Sequence, residues 1–224
     1  MKLSKRLHTL AQMVTSGYTH IWDCCCDHGL LGNALLARQA AENIHFVDIV
    51  PELMSAIESK LQHFYPHSPS IWTVHCQDVA SLPLHRYEGK HLVIIAGVGG
   101  DLMTRFIERL YNNYPDREID FLLSPVHHHF TLRQRLIQLD FGLKQELLVK
   151  ENQRFYEVML VSSRSGNHKK VSPVGEALWQ ATTDEQATTV TEYLDKALAH
   201  YRRMQQGKAK DVSHIIEAYQ AVGL

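Results

Sequence analysis

Between residues 20 and 163 the chain repeats one alternation, a short apolar run followed by a segment with helical spacing. "HIWDCCC" precedes "LLGNALLARQAA", and "NIHFVDI" precedes a helix opened by Pro51, a residue welcome in a first turn. "SIWTVHC" is the third run. "HLVIIAG" leads into "GGDLMTRFIERLYNNY", where Leu102, Phe106, Ile107 and Leu110 share one face, and "IDFLLSP" leads into "TLRQRLIQL". Strands that alternate with helices form a parallel sheet covered on both faces.

The alternation then breaks. "GLKQELLVKE" and "RFYEVMLVSS" are separated only by turn residues near Asn152 and Gln153, which reads as a hairpin with its last strand antiparallel to its neighbour. The expected fold is a doubly wound α/β sheet of seven strands, the last antiparallel. That arrangement resembles the Rossmann-like sheet of class I methyltransferases.

After "SRSGNHKKVSP" the pattern turns helical. Val190, Leu194, Ala197, Leu198, Tyr201 and Met204 mark one stripe, and Val212, Ile215, Ile216, Tyr219 and Val222 mark a second. Gly207 is the expected stop between them and Asp211 the expected N-cap, giving a helical hairpin that Trp179 can anchor. The 224 residues thus divide into a main domain over 1–165 and a helical appendage over 166–224.

Composition sets limits on function. No apolar run approaches the roughly 18 residues of a membrane span. The stretch "MKLSKRLHTLAQMV" is basic and amphipathic without a secretory core, so the cytoplasm is the expected location. A net charge of -1 neither demands nor excludes nucleic acid. Basic residues nevertheless collect at Lys2, Lys5 and Arg6, and again at Lys169, Lys170, Arg202, Arg203, Lys208 and Lys210. The four cysteines are expected to be reduced thiols. Three are adjacent, which suits neither a relaxed disulfide nor the paired spacing of zinc ligands, so no metal is expected.

In an open α/β sheet, ligands bind at the carboxyl ends of the strands. Those ends carry Asp23 to His28, Asp48 and Ile49, Gln77 and Asp78, and Ala96 to Gly100, that is Ala96, Gly97, Val98, Gly99 and Gly100. A pyrophosphate needs free backbone NH groups and no competing negative charge. The first loop lacks the dinucleotide glycine pattern and places Asp27 where phosphate would sit. S-adenosylmethionine has a sulfonium, an amino group and no phosphate, so an acidic loop suits it. Asp48 is placed for ribose hydroxyls and Asp78 for an adenine amine. Each of these acids, taken alone, is equally a helix cap.

Five segments carry a family resemblance: "LSKRL", "DCCCDHGLL", "FVDIVPELMSAI", "IAGVGG" and "FYEVMLV". Together they resemble the TrmK family, bacterial tRNA adenine-N1-methyltransferases that act at tRNA position twenty-two in the D-arm region. Asp23, Asp27 and His28 match its first motif, and Ala96, Gly97, Gly99 and Gly100 its fourth. Cys25 stands where the family has glycine, so a backbone conformation reserved for glycine is not expected there. After the fifth strand Ser124, Pro125, Val126 and His127 replace the family's "QPN", keeping only the proline.

The resemblance implies S-adenosylmethionine as cofactor and tRNA as partner. The cofactor would be held by Asp23, Cys25, Asp27, His28, Asp48, Ile49, Gln77, Asp78 and residues 96–100. Asp27, oriented by His28, is the candidate for receiving the positive charge that moves onto the base; the alternative is that both only hold the methionine end of the cofactor. "VHHHF" offers His127, His129 or Phe130 to a displaced base, or is a solvated loop. Lys5, Arg6, Arg202, Arg203, Lys208 and Lys210 are candidates for RNA phosphates, or form a solvated charged surface. Two rivals remain open: a methyltransferase of the same fold acting on a small molecule or protein, and a noncatalytic RNA-binding protein.

Overall fold

All five residues of β1 (His20–Cys24) are buried, because strands flank it on both sides and helices cover both faces of the sheet. The computed structural model describes residues 3–207 and 211–223. Beside β1 run β2 (Asn43–Asp48), β3 (Ile71–Cys76), β4 (His91–Ala96) and β5 (Ile119–Ser124), all parallel. The hairpin β6 (Gly142–Glu151) and β7 (Arg154–Ser162) follows, and a two-residue β8 (Lys169–Lys170) closes the edge. The order is β3-β2-β1-β4-β5-β7-β6-β8. β7 slots between β5 and β6 and is antiparallel to both, as the hairpin predicts. Asn152 and Gln153 both take left-handed backbone, φ +48° and +63°, the geometry of a tight turn whose twist suits a hairpin. The described sheet has eight strands where the sequence predicts seven. Lys169 and Lys170 supply the extra one by pairing with Leu143 and Gly142, a pairing with no apolar periodicity to announce it.

One face of the sheet packs under α1 (Lys5–Met13), α2 (Leu30–Ala37) and α3 (Pro51–Phe64), burying Leu10, Leu35, Phe46, Ile57 and Leu61. The other packs under α4 (Gly100–Asn113) and α5 (His129–Gln138), burying Trp22, Met103, Ile107, Phe121 and Leu136. In α4 it is Met103, not Leu102, that reaches full burial beside Ile107 and Leu110. Cys24, the last residue of β1, and Cys26, in the loop that follows, are small core residues on opposite faces of the sheet.

Trp22 stacks on His45 at 3.7 Å between ring centroids, at the centre of a run of imidazoles crossing four strands. His20 Nε2 meets the carbonyl of Glu88 at 3.0 Å and must donate to it. In a neutral ring its Nδ1 is then an acceptor, filled by His45 Nε2 at 3.1 Å. His45 Nδ1 in turn accepts from His75 Nε2 at 3.0 Å. One terminal carbonyl thereby fixes three tautomers.

The appendage consists of α6 (Asp184–Gln206) and α7 (Ser213–Gln220). Trp179 anchors it: the ring stacks on Tyr193 at 5.4 Å, and its Nε1 donates to the carbonyls of Val174 and Gly175. Tyr193 is absent from the predicted stripe yet is buried with Val190. Asp211 accepts from the backbone NH and hydroxyl of Ser213, one residue earlier than the N-cap position, which Val212 fills.

Beneath the appendage lies a charged core. Arg133, fully buried on α5, donates through Nε to Glu157 and through Nη2 to Glu146, each at 2.7 Å. Tyr193 donates to the other oxygen of Glu157 at 2.5 Å, and the backbone NH groups of Glu176 and Ala177 donate to Glu146. Main sheet and appendage are tied through these groups.

Candidate functional site

The carboxyl end of β1 opens into a loop of unusual backbone. Cys25, Asp27 and Gly29 all have positive φ, +55°, +50° and +69°. Cys25 thus takes left-handed backbone even though a side chain is present, contrary to the sequence expectation. The left-handed region admits non-glycine residues at a cost of about 1–3 kcal/mol, which the surrounding interactions must offset.

Those interactions come from the strand-end acids. Asp23 is 4 % exposed and its Oδ2 accepts from the Gly32 NH at 2.7 Å, fixing the first turn of α2. A Cβ on Gly32 would sit 2.3 Å from the Phe46 ring, so this close approach needs glycine. Asp48 accepts from the NH groups of Asp27, Ile49 and Val50, which ties the first strand-end loop to the second. Asp78 caps a short 3-10 turn through the Ala80 NH at 2.8 Å. All three acids therefore hold loops in place.

Burial, reinforced by Asp48 and opposed by the Gly32 NH, pushes the Asp23 carboxyl up to about 7. Burial also raises the thiols, with nearby carboxylates adding to it: Cys25 is pushed up to about 12 by burial and then by Asp48, Asp23 and Asp78. Protonated thiols are poor nucleophiles and poor metal ligands. Among the described residues no group of three His, Cys, Asp or Glu side chains is placed to hold a metal ion.

Asp23, Cys25, Asp27, His28, Ala96, Gly97 and Val98 line one cleft of about 360 Å³, together with Arg6 and Leu7 from α1 and Leu30 and Leu31 from α2. Asp27 and His28 form a solvent-exposed pair at 3.7 Å. Gly97, at φ +86°, turns the backbone after β4, and the Arg6 guanidinium stands across from it. Arg6 also lies over the Tyr156 ring at 4.8 Å. Asp48, Ile49, Gln77 and Asp78 sit further along, at the ends of β2 and β3. Ile49 is 67 % exposed, an open apolar side chain beside Asp48. Gln77 Nε2 is buried with no acceptor. Gly99 and Gly100 pack against His127 and His128 at the start of α4.

A second cleft of about 750 Å³ opens next to the first, between the β5–α5 loop, Tyr156 and the α6–α7 hairpin. The two adjoin because the β4 and β5 loops are zipped together: Val126 NH donates to Val98 and Gly100 NH to His127. His127, His128 and His129 line it, with His128 Nδ1 donating to the Asp101 carboxylate at 2.6 Å. Arg203 lines this cleft; Arg202, one residue earlier on α6, is exposed and does not. Arg154, Lys196 and His200 add basic character that sequence reasoning missed. Lys5 lies apart, its backbone NH bonded to Glu151. Lys2, Lys208 and Lys210 lie outside the described residues.

A further cleft of about 720 Å³ lies at the opposite ends of β1, β4 and β5, where the Tyr18 hydroxyl and Lys144 both reach Asp120. Its size is no guide to chemistry, since open parallel sheets bind ligands at strand carboxyl ends.

A protein-family model described as "Methyltransferase domain" matches residues 3–159. No curated protein sequence matches the chain. Among solved structures, a Streptococcus pneumoniae protein described as a putative tRNA (m1A22) methyltransferase, in complex with S-adenosyl-L-methionine, matches with TM-score 0.73 at 20% identity over 98% of both chains. M. capricolum TrmK with S-adenosyl-homocysteine matches with TM-score 0.72 at 14% identity, over 98% of this chain and 94% of that one. The B. subtilis tRNA methyltransferase TrmK matches with TM-score 0.64 at 18% identity, over 98% and 97%. At these identities the likeness is one of fold, and it includes the helical hairpin.

Proposed function

The chain belongs to the methyltransferase-domain family, and from that premise we propose that it transfers the methyl group of S-adenosylmethionine to N1 of an adenine in the D-arm region of tRNA. The observation that carries this reading is the adjacency of the two clefts. A small acidic cleft at β1 and β4 adjoins a larger basic one at β5, β7 and the hairpin, and the zipped β4 and β5 loops separate them.

The residues at the strand ends fit this cofactor. Ile49 offers an exposed apolar face to the adenine, Asp48 a carboxylate to the ribose, and the unpartnered Gln77 amide a donor. The bare backbone at Gly97 leaves room for the amino-acid end. When bound, the cofactor supplies an electrophilic methyl on a sulfonium. Adenine N1 already has its lone pair, so no enzyme nucleophile is needed. What the chain contributes is alignment and electrostatics. Asp27 lines the small cleft with His28 beside it, and its carboxylate is the group assigned to offset positive charge moving onto the base. His127, His128 and Tyr156 line the cleft into which a displaced base enters; aromatic and imidazole faces hold such bases by stacking. Arg154, Lys196 and Arg203 are available to phosphates. A tRNA substrate also accords with a cytoplasmic location.

The test is nuclease digestion and mass spectrometry of tRNA from a strain deleted for this gene, paired with methylation of that tRNA by the purified protein. Loss of N1-methyladenine in the strain, restored in vitro, is the expected result. An unchanged nucleoside profile, with methyl transfer only to a small molecule or protein, overturns the tRNA assignment.

A further inference from the structure

Among the described residues, Arg6 is the one arginine or lysine in a cleft otherwise lined by acidic, thiol and apolar groups and the His28 imidazole. Its side chain is half-buried, and among the described residues it forms no salt bridge with a carboxylate. Its one described partner is the Tyr156 ring, a cation–π contact at 4.8 Å that fixes the guanidinium plane without satisfying its NH donors. Both terminal nitrogens lie within 4.0 Å of the position a Cβ on Gly97 would occupy. The fork therefore faces the bare backbone of the β4 loop. A planar fork with unspent donors is built for bidentate pairing with a carboxylate or phosphate oxygen pair.

The order of strands decides which end of the cofactor Arg6 meets. Groups suited to the adenosine half, Asp48, Ile49 and Gln77, sit at β2 and β3, on one side of β1. Gly97 and Arg6 sit on the other side, at β4. The amino-acid end, which bears a carboxylate and no phosphate, is the part that extends to β4.

We propose that Arg6 binds the cofactor, as the counter-ion of its amino-acid carboxylate, and is not a contact to RNA phosphate. This rests on the cofactor reading above and deepens it. Leu7, Leu31 and the first loop wall Arg6 into a cleft of about 360 Å³, a setting that suits a terminal carboxylate better than a continuous nucleic-acid backbone. Helix α1 then closes one wall of the cofactor site, and the neighbouring Lys5 NH, bonded to Glu151, pins the start of that helix to the β6–β7 hairpin.

The experiment is calorimetric titration of the full chain and of its Arg6→Ala and Arg6→Lys variants with two ligands. S-adenosyl-L-homocysteine carries the amino-acid end; 5′-methylthioadenosine shares the adenosine and thioether and lacks that end. Arg6→Ala is expected to weaken S-adenosyl-L-homocysteine by about tenfold or more, as for a charge-assisted pair, and to leave 5′-methylthioadenosine within about twofold of the parent. Arg6→Lys, keeping the charge but not the fork, is expected to fall between. Equal weakening for both ligands makes Arg6 a support for Tyr156 and overturns the proposal. So does unchanged S-adenosyl-L-homocysteine affinity together with weakened tRNA binding, which returns Arg6 to the RNA surface. A parent chain that binds neither ligand fails differently: it removes the cofactor reading itself, and the anchor with it.

Discussion

Two charged regions of this molecule obey opposite rules. At the carboxyl end of β1 the acids are bonded mostly to backbone NH groups of adjoining loops, and several remain open to solvent. Under the appendage, Arg133, Glu146 and Glu157 are all fully buried and bonded to one another across three elements. The first arrangement leaves space for a ligand; the second leaves none. Removing one carboxylate from the first region loosens a loop. Removing one partner from the second strands a charge with no water to take it.

The largest expected effect follows directly. Arg133→Ala leaves two buried carboxylates facing each other and is expected to cost about 3–5 kcal/mol of stability, the range for breaking a buried pair on one side. Urea denaturation of parent and variant measures it. A cost under about 1 kcal/mol, within what an exposed ion pair contributes, shows that the network is hydrated and the contrast with the strand-end loop false.

The contrast also explains what could be read from sequence. Asp23, Asp27, Asp48 and Gly97 are legible because each is placed by its own strand end, and strand ends show in local periodicity. The Cys25 backbone is not legible, since left-handed φ at a cysteine belongs to the whole β1–α2 loop, which Asp48 ties down from the next strand through the Asp27 NH. Arg133 has a weak signal in hindsight: it sits three residues from both Phe130 and Leu136, on the inward stripe of α5. Glu146 and Glu157 occupy inward positions on β6 and β7, and nothing local links either one to Arg133. Arg6 reads as part of a basic N-terminal cluster; only the packing of α1 against the sheet turns it toward Gly97. The position of β8 needs the sheet edge to exist first.

A second test sets Asp23 against the imidazoles on its own strand and on β2 and β4. Burial, together with neighbouring His75, His20 and His91, pushes His45 down to about 2; burial, then His20, pushes His91 down to about 4. Lowered histidines bind fewer protons folded than unfolded below about 6.5, so stability falls as pH drops through that value. From pH 7 to 5 each of these two costs about 2 kcal/mol at 1.36 kcal/mol per unit, while His20 and His75, lowered chiefly by burial, act in the same direction. Asp23 has the opposite sign. With a folded value near 7 and an unfolded value near 4 it takes up its proton first in the folded state, which offsets about 2 kcal/mol of that cost over the same interval. The parent is therefore still expected to lose about 2 kcal/mol or more between pH 7 and 5, and Asp23→Asn to lose about 2 kcal/mol more than the parent. Denaturation midpoints at half-unit steps decide it. Parallel pH profiles for the two proteins mean that Asp23 is ionised throughout.

The smallest expected effect concerns two adjacent arginines on α6. The sequence presents both as one basic pair that grips RNA. In the structure Arg203 lines the second cleft with Lys196 and His200, and Arg202 points elsewhere on the helix. Lys196, Ala197, His200, Tyr201, Arg203 and Met204 of α6, all on that cleft, follow the three-to-four spacing of one helical face, and Arg202 falls outside it. Binding through one phosphate fewer releases fewer counterions and lowers the salt slope by about one. Arg203→Ala is accordingly expected to weaken tRNA binding by about 1 kcal/mol at moderate salt and to flatten the slope by about one, with cofactor affinity unchanged. Arg202→Ala is expected to change neither by half as much. Filter-binding titrations over a range of salt concentrations compare the two. If Arg202→Ala does the greater damage, the nucleic acid lies on the outer side of α6, and the second cleft receives something smaller than an RNA arm. If the two variants match the parent in affinity and slope, the hairpin does not touch RNA at all, and the buried Arg133 network beneath it serves only to hold a structural cap on the sheet.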